Sequence, residues 1–228
     1  YLLNDGATGA PLPVMDGSRL TVWRTAAASA LAARALARRD AARMVMVGAG
    51  ALAPFLIRAH AAERPLADIA LWNHRPERAR EMARDLAAQG LPVRAVESLE
   101  AAVREADIVS CATLSVEPLV RGEWLRPGAH VDCVGAFKPT MRETDDPCIR
   151  RASLFCDTRA GALKEGGDLA IPVASGLITA ADVRADLFDL ARGVHSGRTS
   201  EEEITLFKSV GTAIEDLAAA ILVWNRLN

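Results

Sequence analysis

One run constrains the fold of this chain more than any other: Val45-Met46-Val47-Gly48-Ala49-Gly50-Ala51-Leu52-Ala53. Apolar, strand-forming residues lead into a GxGxxA pattern, and helical spacing follows over residues 52–62, with Pro54 tolerated in the first turn. Gly48 permits the tight turn. Gly50 leaves the backbone bare where a pyrophosphate could approach, and small Ala53 lets helix and strand pack closely. The free N–H groups at such a helix start, those of Ala51 and Leu52 among them, carry partial positive charge and suit phosphate oxygens. The glycines alone are weak evidence. Their weight comes from standing between a strand and a helix at the first turn of an alternating series.

That series continues downstream. Apolar runs at 69–72, 93–96, 108–111, 130–134 and 154–156 predict strands, and residues 76–89 and 99–104 predict helices between them. Strands alternating with helices pair in parallel through helical crossovers. The expected fold class is α/β, a Rossmann-type doubly wound dinucleotide-binding domain over residues 41–175. Upstream, Asn4-Asp5-Gly6, Thr8-Gly9 and Asp16-Gly17 predict hairpin strands within residues 1–23, followed by an alanine-rich helix over 26–39. Downstream, Leu206, Val210, Ile214, Leu217 and Ile221 predict one long helix over 201–227.

The end of the second strand selects the cofactor. Leu71-Trp72-Asn73-His74-Arg75-Pro76 offers no acid before Glu77 to take a ribose 2′-hydroxyl. Asn73 can reach the ribose, and Arg75 with His74 can meet a 2′-phosphate. This predicts NADP(H) in preference to NAD(H). The bland alternative is a solvated arginine at a helix start.

Composition removes other classes. The 228 residues carry 27 basic and 29 acidic groups, a formal net charge of −2, which argues against a nucleic-acid-binding surface. An apolar fraction of 50% excludes disorder. No uncharged apolar run reaches the roughly 18–20 residues of a membrane span, and no secretory signal opens the chain. The expectation is a cytoplasmic protein with small-molecule partners, no nucleic acid and no membrane. Cys111, Cys133, Cys148 and Cys156 lack metal-ligand or CxxC spacing, so buried free thiols and no metal are expected.

Four separated motifs then point to a family. They are Leu20-Thr21-Val22-Trp23-Arg24-Thr25-Ala26-Ala27; Cys111-Ala112-Thr113 with Glu117-Pro118; Val134-Gly135-Ala136 with Met141-Arg142-Glu143; and Phe207-Lys208-Ser209-Val210-Gly211-Thr212-Ala213 with Glu215-Asp216. From Tyr1 to its end the chain resembles the ornithine cyclodeaminase/mu-crystallin family. The resemblance implies that residues 1–25 are the remainder of a split α+β substrate and dimerisation domain. It implies a connecting helix at 26–40, and a 176–228 segment whose helix returns to the first domain. It further implies an N-terminal segment upstream of Tyr1 that supplies another carboxylate-binding arginine and a lysine, and a homodimer for the full-length protein.

By the same resemblance, Arg24 anchors a substrate carboxylate beside the nicotinamide and, with Thr25, contacts the cofactor. Thr113 and Leu114 lie against the cofactor, and Val134, Gly135 and Phe137 floor the nicotinamide. Ser209 and Val210 close the site from the C-terminal helix, Val210 towards substrate; for Ser209, helix capping competes. Phe137 stands where the family's cyclodeaminases place an aspartate credited as acid/base, and a phenyl ring cannot shuttle a proton. That departure implies a reductive member, an NAD(P)H-dependent oxidoreductase reducing cyclic ketimines such as Δ1-pyrroline-2-carboxylate to L-proline. No catalytic acid is assigned. The alternatives are an NAD-dependent cyclodeaminase or amino-acid dehydrogenase, and a non-catalytic NADPH-binding protein of the mu-crystallin kind. A second departure is that His74 separates Asn73 from Arg75, where NADP-dependent relatives place arginine directly after asparagine.

Overall fold

A computed structural model describes Tyr1–Leu227; Asn228, the end of the expected 176–228 segment, lies outside the described residues. Strands β1 (Leu2–Asn4) and β2 (Pro11–Val14) form the antiparallel hairpin expected from the turn signals. Helix α1 then spans Gly17–Leu36, so residues 17–23 are helical and not part of the hairpin region. Asp16 explains the difference. Its carboxylate accepts the Ser18 and Arg19 N–H groups at 2.8 and 3.2 Å, which makes Asp16-Gly17 a capped helix start instead of a turn.

The series continues as β3 (Arg43–Val47), α2 (Ala53–Glu63), β4 (Asp68–Trp72), α3 (Pro76–Ala87) and β5 (Val93–Ala95). It is followed by α4 (Leu99–Glu105), β6 (Ile108–Cys111), β7 (His130–Cys133), α5 (Asp146–Arg151) and β8 (Ser153–Cys156). The last elements are α6 (Arg159–Glu165), α7 (Gly167–Ala174), β9 (Val183–Asp186), α8 (Leu187–Ala191), β10 (Thr205–Lys208) and α9 (Ala213–Leu227). β3 to β10 make one parallel sheet in the order β5-β4-β3-β6-β7-β10-β8-β9. The chain winds outward from β3 to β5, then returns to β6 and runs the other way. The reversal between β3 and β6 opens a crevice at the carboxyl ends of the strands, where such sheets take ligands.

β10 corrects the single long helix expected over 201–227. Its four residues are buried and pair in register with β7 and β8, Thr205 opposite both His130 and Ser153. Gly211, at φ +88°, breaks the chain before α9. The four-residue spacing of Leu206 and Val210 therefore joins a strand to a loop. Because β9 and β10 belong to the sheet, residue 175 does not interrupt it.

Valines 45, 47, 109 and 131 fill one face of the sheet, and Met44, Met46, Leu56, Ile57, Ile69 and Leu71 the other. α1 lies over this second face on small residues, with Ala26, Ala28, Ala32 and Ala33 buried. A polar bolt fixes it. The buried Asp132 carboxylate of β7 accepts the Ser29 hydroxyl of α1 at 2.9 Å and the Ser110 hydroxyl of β6 at 2.8 Å, and meets His60 Nε2 of α2 at 3.0 Å. Burial opposes its ionisation, yet these bonds hold the carboxyl below the usual carboxylate range. The four cysteines are free and buried, and among the described residues no helix is long and apolar enough to cross a membrane.

Candidate active site

The fingerprint loop rests on the end of β6. A Cβ on Gly48, at φ +108°, would lie 2.8 Å from the Ala112 carbonyl oxygen and 3.1 Å from Thr113 Cγ2. Gly50 has open space above it. The N–H groups of Gly50, Ala51 and Leu52 take no partner among the described residues, and α2 begins without a side-chain cap. Bare amides, open space and a helix start together fit a pyrophosphate. Asn73 braces this loop: its Oδ1 accepts the Ala49 N–H at 3.3 Å and its Nδ2 donates to the Arg75 carbonyl at 3.1 Å. Its side chain thus supports the turn. His74 and Arg75 stand exposed at the rim, and the Arg75 guanidinium has no ion pair among the described residues.

The floor of the crevice is stapled by a buried carboxylate, Glu143, to which its sequence motif alone assigns no role. Glu143 Oε1 accepts the Thr113 N–H at 2.6 Å and the Thr113 hydroxyl at 2.8 Å, while Oε2 accepts Gly135 N–H at 2.8 Å and Ala136 N–H at 3.2 Å. The loops after β6 and β7 are thereby drawn together. They pack so closely that a Cβ on Gly135 would overlap the Thr113 backbone. Asp168 of α7 holds Glu143 in turn, its Oδ1 accepting the Glu143 and Thr144 N–H groups, both at 2.9 Å. Its Oδ2 meets Lys208 Nζ at 3.2 Å. Burial and the Asp168 charge push Glu143 up to about 7, against the pull of Lys208. Burial works against the Lys208 charge, but Asp168 and Glu143 outweigh it and raise its pKa. Val134 and Gly135 are buried in this floor, whereas Phe137 projects from it, 45% exposed, with Lys138 Nζ 5.9 Å from its ring centre. Leu114 is also exposed, at 69%.

Ser209 and Val210 leave β10 in a loop, so they do not reach the site from the C-terminal helix as expected. Asp157, at the end of β8, gathers that loop: its Oδ2 accepts the Ser209 hydroxyl at 3.2 Å, Val210 N–H at 2.7 Å and Gly211 N–H at 2.6 Å. Ser209 thus answers to Asp157 and caps no helix. Arg24 lies against Gly211. It is not free: its Nε donates to Asp216 Oδ1 and its Nη1 to Glu215 Oε2, each at 3.0 Å, which ties α1 to the start of α9. Its Nη2 has no hydrogen-bond partner among the described residues. Burial pushes Glu215 up to about 7 despite Arg24, and its buried Oε1 has no hydrogen-bond partner among the described residues. Thr25, the next residue on α1, is buried.

Gly48 thus lies against Thr113 and Thr113 against Gly135, while Ser209 and Val210 gather on Asp157 and Arg24 meets Gly211 of that same loop. Glu143, Asp157, Asp168 and Lys208 were missed as site residues. Their signal in the sequence is slight: Asp157 and Lys208 directly follow apolar stretches, whereas Glu143 stands among polar residues in Met141-Arg142-Glu143-Thr144-Asp145 and Asp168 follows Glu165-Gly166-Gly167.

A sheet wound about a GxGxxA turn, with its crevice at the reversal point, defines a dinucleotide-binding oxidoreductase fold. The comparisons with known proteins narrow this. The model of the ornithine cyclodeaminase/mu-crystallin family matches residues 1–228, and the chain belongs to that family. It is 44% identical over 220 residues to Delta(1)-pyrroline-2-carboxylate reductase of Paracoccus denitrificans, covering 96% of this chain and 70% of that protein. It is 38% identical over 224 residues to ketimine reductase mu-crystallin of Mus musculus, covering 98% of this chain and 68% of that one. Among solved structures it resembles Thermococcus litoralis Delta(1)-pyrroline-2-carboxylate reductase in complex with NADH and L-proline. The TM-score is 0.95 at 38% identity, over 99% of this chain and 70% of the other.

Proposed function

We propose that this protein is an NAD(P)H-dependent reductase of cyclic ketimine carboxylates, acting on Δ1-pyrroline-2-carboxylate to give L-proline. The observation that carries the reading is Phe137: an apolar ring projects from the stapled floor where a deaminating enzyme needs an acid. Similarity to pyrroline-2-carboxylate and ketimine reductases supports the same substrate class. The bare amides of Gly50, Ala51 and Leu52 bind the pyrophosphate, and Arg75 with His74 favours NADP(H) over NAD(H) at the exposed rim. The bound nicotinamide supplies the hydride. The Glu143 staple fixes the Thr113 and Gly135–Ala136 loops, which with Val134 would floor the nicotinamide, so the surface that orients it is set before substrate arrives. Arg24 offers Nη2 to the substrate carboxylate while Glu215 and Asp216 fix its plane. Phe137 walls off water, and the imine enters already protonated. A cytoplasmic homodimer is the setting of this reading.

The test follows NADPH oxidation with Δ1-pyrroline-2-carboxylate, and ammonia release from ornithine, on one preparation. Ketimine reduction with ammonia release lower by about 10²-fold or more is expected. Ammonia release at a comparable rate would refute the role given to Phe137. NADPH binding with neither activity would leave a binding protein of the mu-crystallin kind.

A further inference from the structure

Beneath the floor lies a cluster with unequal charge. Glu143, Asp168 and Lys208 are each fully buried, two carboxylates against one ammonium. Lys208 makes its ion pair with Asp168. Glu143 has no cation within ion-pair distance among the described residues, and its four hydrogen bonds come from neutral donors. Those donors belong to Thr113, Gly135 and Ala136, the two loops that make the floor. A buried charge held by dipoles, with no counter-ion at contact, keeps much of its field in the low-dielectric surroundings. The reduced nicotinamide ring is neutral and the oxidised ring is cationic. A negative charge under the ring therefore acts on one form and hardly on the other.

We propose that Glu143, with its charge unpaired beneath the Thr113 and Gly135–Ala136 loops, makes the site favour the oxidised over the reduced nicotinamide and so biases bound cofactor towards giving up hydride. This rests on the reading above, that these loops floor the nicotinamide. Glu143 does not touch the cofactor; it positions the loops and sets the potential across them. Two consequences can be separated, since a staple acts on both cofactor forms alike and a charge does not.

The experiment measures dissociation constants of NADP+, NADPH, NAD+ and NADH at pH 8.5, above the value of about 7 to which Glu143 is pushed so that its carboxylate is ionised, for the wild-type protein, Glu143→Gln and Asp168→Asn, with circular dichroism to confirm folding. Glu143→Gln keeps the size of the side chain and removes its charge. It should weaken the oxidised form roughly tenfold more than the reduced form, the scale of one charge acting over about 10 Å at an effective dielectric near 20. Asp168→Asn leaves the four bonds of Glu143 in place and frees Lys208 to offset it, so the ratio should move in the same direction. Equal weakening of both forms in either folded variant overturns the proposal and leaves Glu143 as a staple only. A wild-type protein that binds no dinucleotide removes the functional reading, and this inference with it.

Discussion

Replacing Arg24 with methionine keeps the aliphatic stem and removes the guanidinium that joins α1 to α9. Two contacts at 3.0 Å are lost, among side chains that are 14% (Arg24), 11% (Glu215) and 23% (Asp216) exposed. Exposed pairs contribute at most about 1 kcal/mol, whereas breaking a buried pair costs about 3–5 kcal/mol. This half-buried pair of contacts lies between, at about 2–3 kcal/mol for Arg24→Met at pH 8. The loss depends on pH. Glu215 is raised in the folded state to about 7 from the ordinary 4.5, so its contribution to stability is fully present below 4.5 and is lost as pH rises through 7. Above 7 the folded wild type carries an ionised Glu215 offset by Arg24, and the variant has nothing to offset it. At pH 5.5 the folded Glu215 is protonated, and only the contact with Asp216 is missed. The deficit should then fall to about 1 kcal/mol. Urea denaturation of both proteins at pH 5.5 and pH 8 reads the difference. An equal deficit at the two pH values, or one below about 0.5 kcal/mol at pH 8, would refute this account of the α1–α9 junction.

Other residues give simpler expectations. Arg75→Ala should weaken NADPH about 10- to 100-fold and leave NADH unchanged, since one charge-assisted contact contributes roughly 1.5–3 kcal/mol; nicotinamide fluorescence titration decides it. Asp132→Ala strands the Ser29, Ser110 and His60 groups that it ties together, and should lower stability by about 3–5 kcal/mol in the same denaturation assay. Gly135→Ala forces a methyl into the Thr113 backbone and should cost about 3 kcal/mol along with dinucleotide binding, whereas Gly50→Ala, which meets open space, should keep its stability. Light scattering should return the mass of a dimer; a monomer would remove that part of the reading.

Much of this was legible in the sequence. β3 to β8 stood out because each is a short apolar run, with amphipathic helices separating β3, β4, β5 and β6, and Gly48 stood out because it stands at the tight turn between a strand and a helix. Residues 17–23 misled because Asp-Gly serves equally as a hairpin turn and as a capped helix start. What settles it is α1 packing on the sheet, a tertiary effect. β10 misled because a four-residue strand next to a loop can mimic helical spacing. Which strands flank it depends on pairing across more than 70 residues, His130 with Thr205. The buried acids were hardest. Glu143, Asp157 and Asp168 differ from solvated acids only in what surrounds them once the strand ends are brought together.

The central claim is transfer of hydride from a reduced nicotinamide to an imine carbon, and isotope labelling tests it most directly. The protein is supplied with NADPH dideuterated at nicotinamide C4 and with Δ1-pyrroline-2-carboxylate, and the proline formed is weighed by mass spectrometry. The account predicts one deuterium per proline, bound at the α-carbon. Proline formed without the label would contradict it.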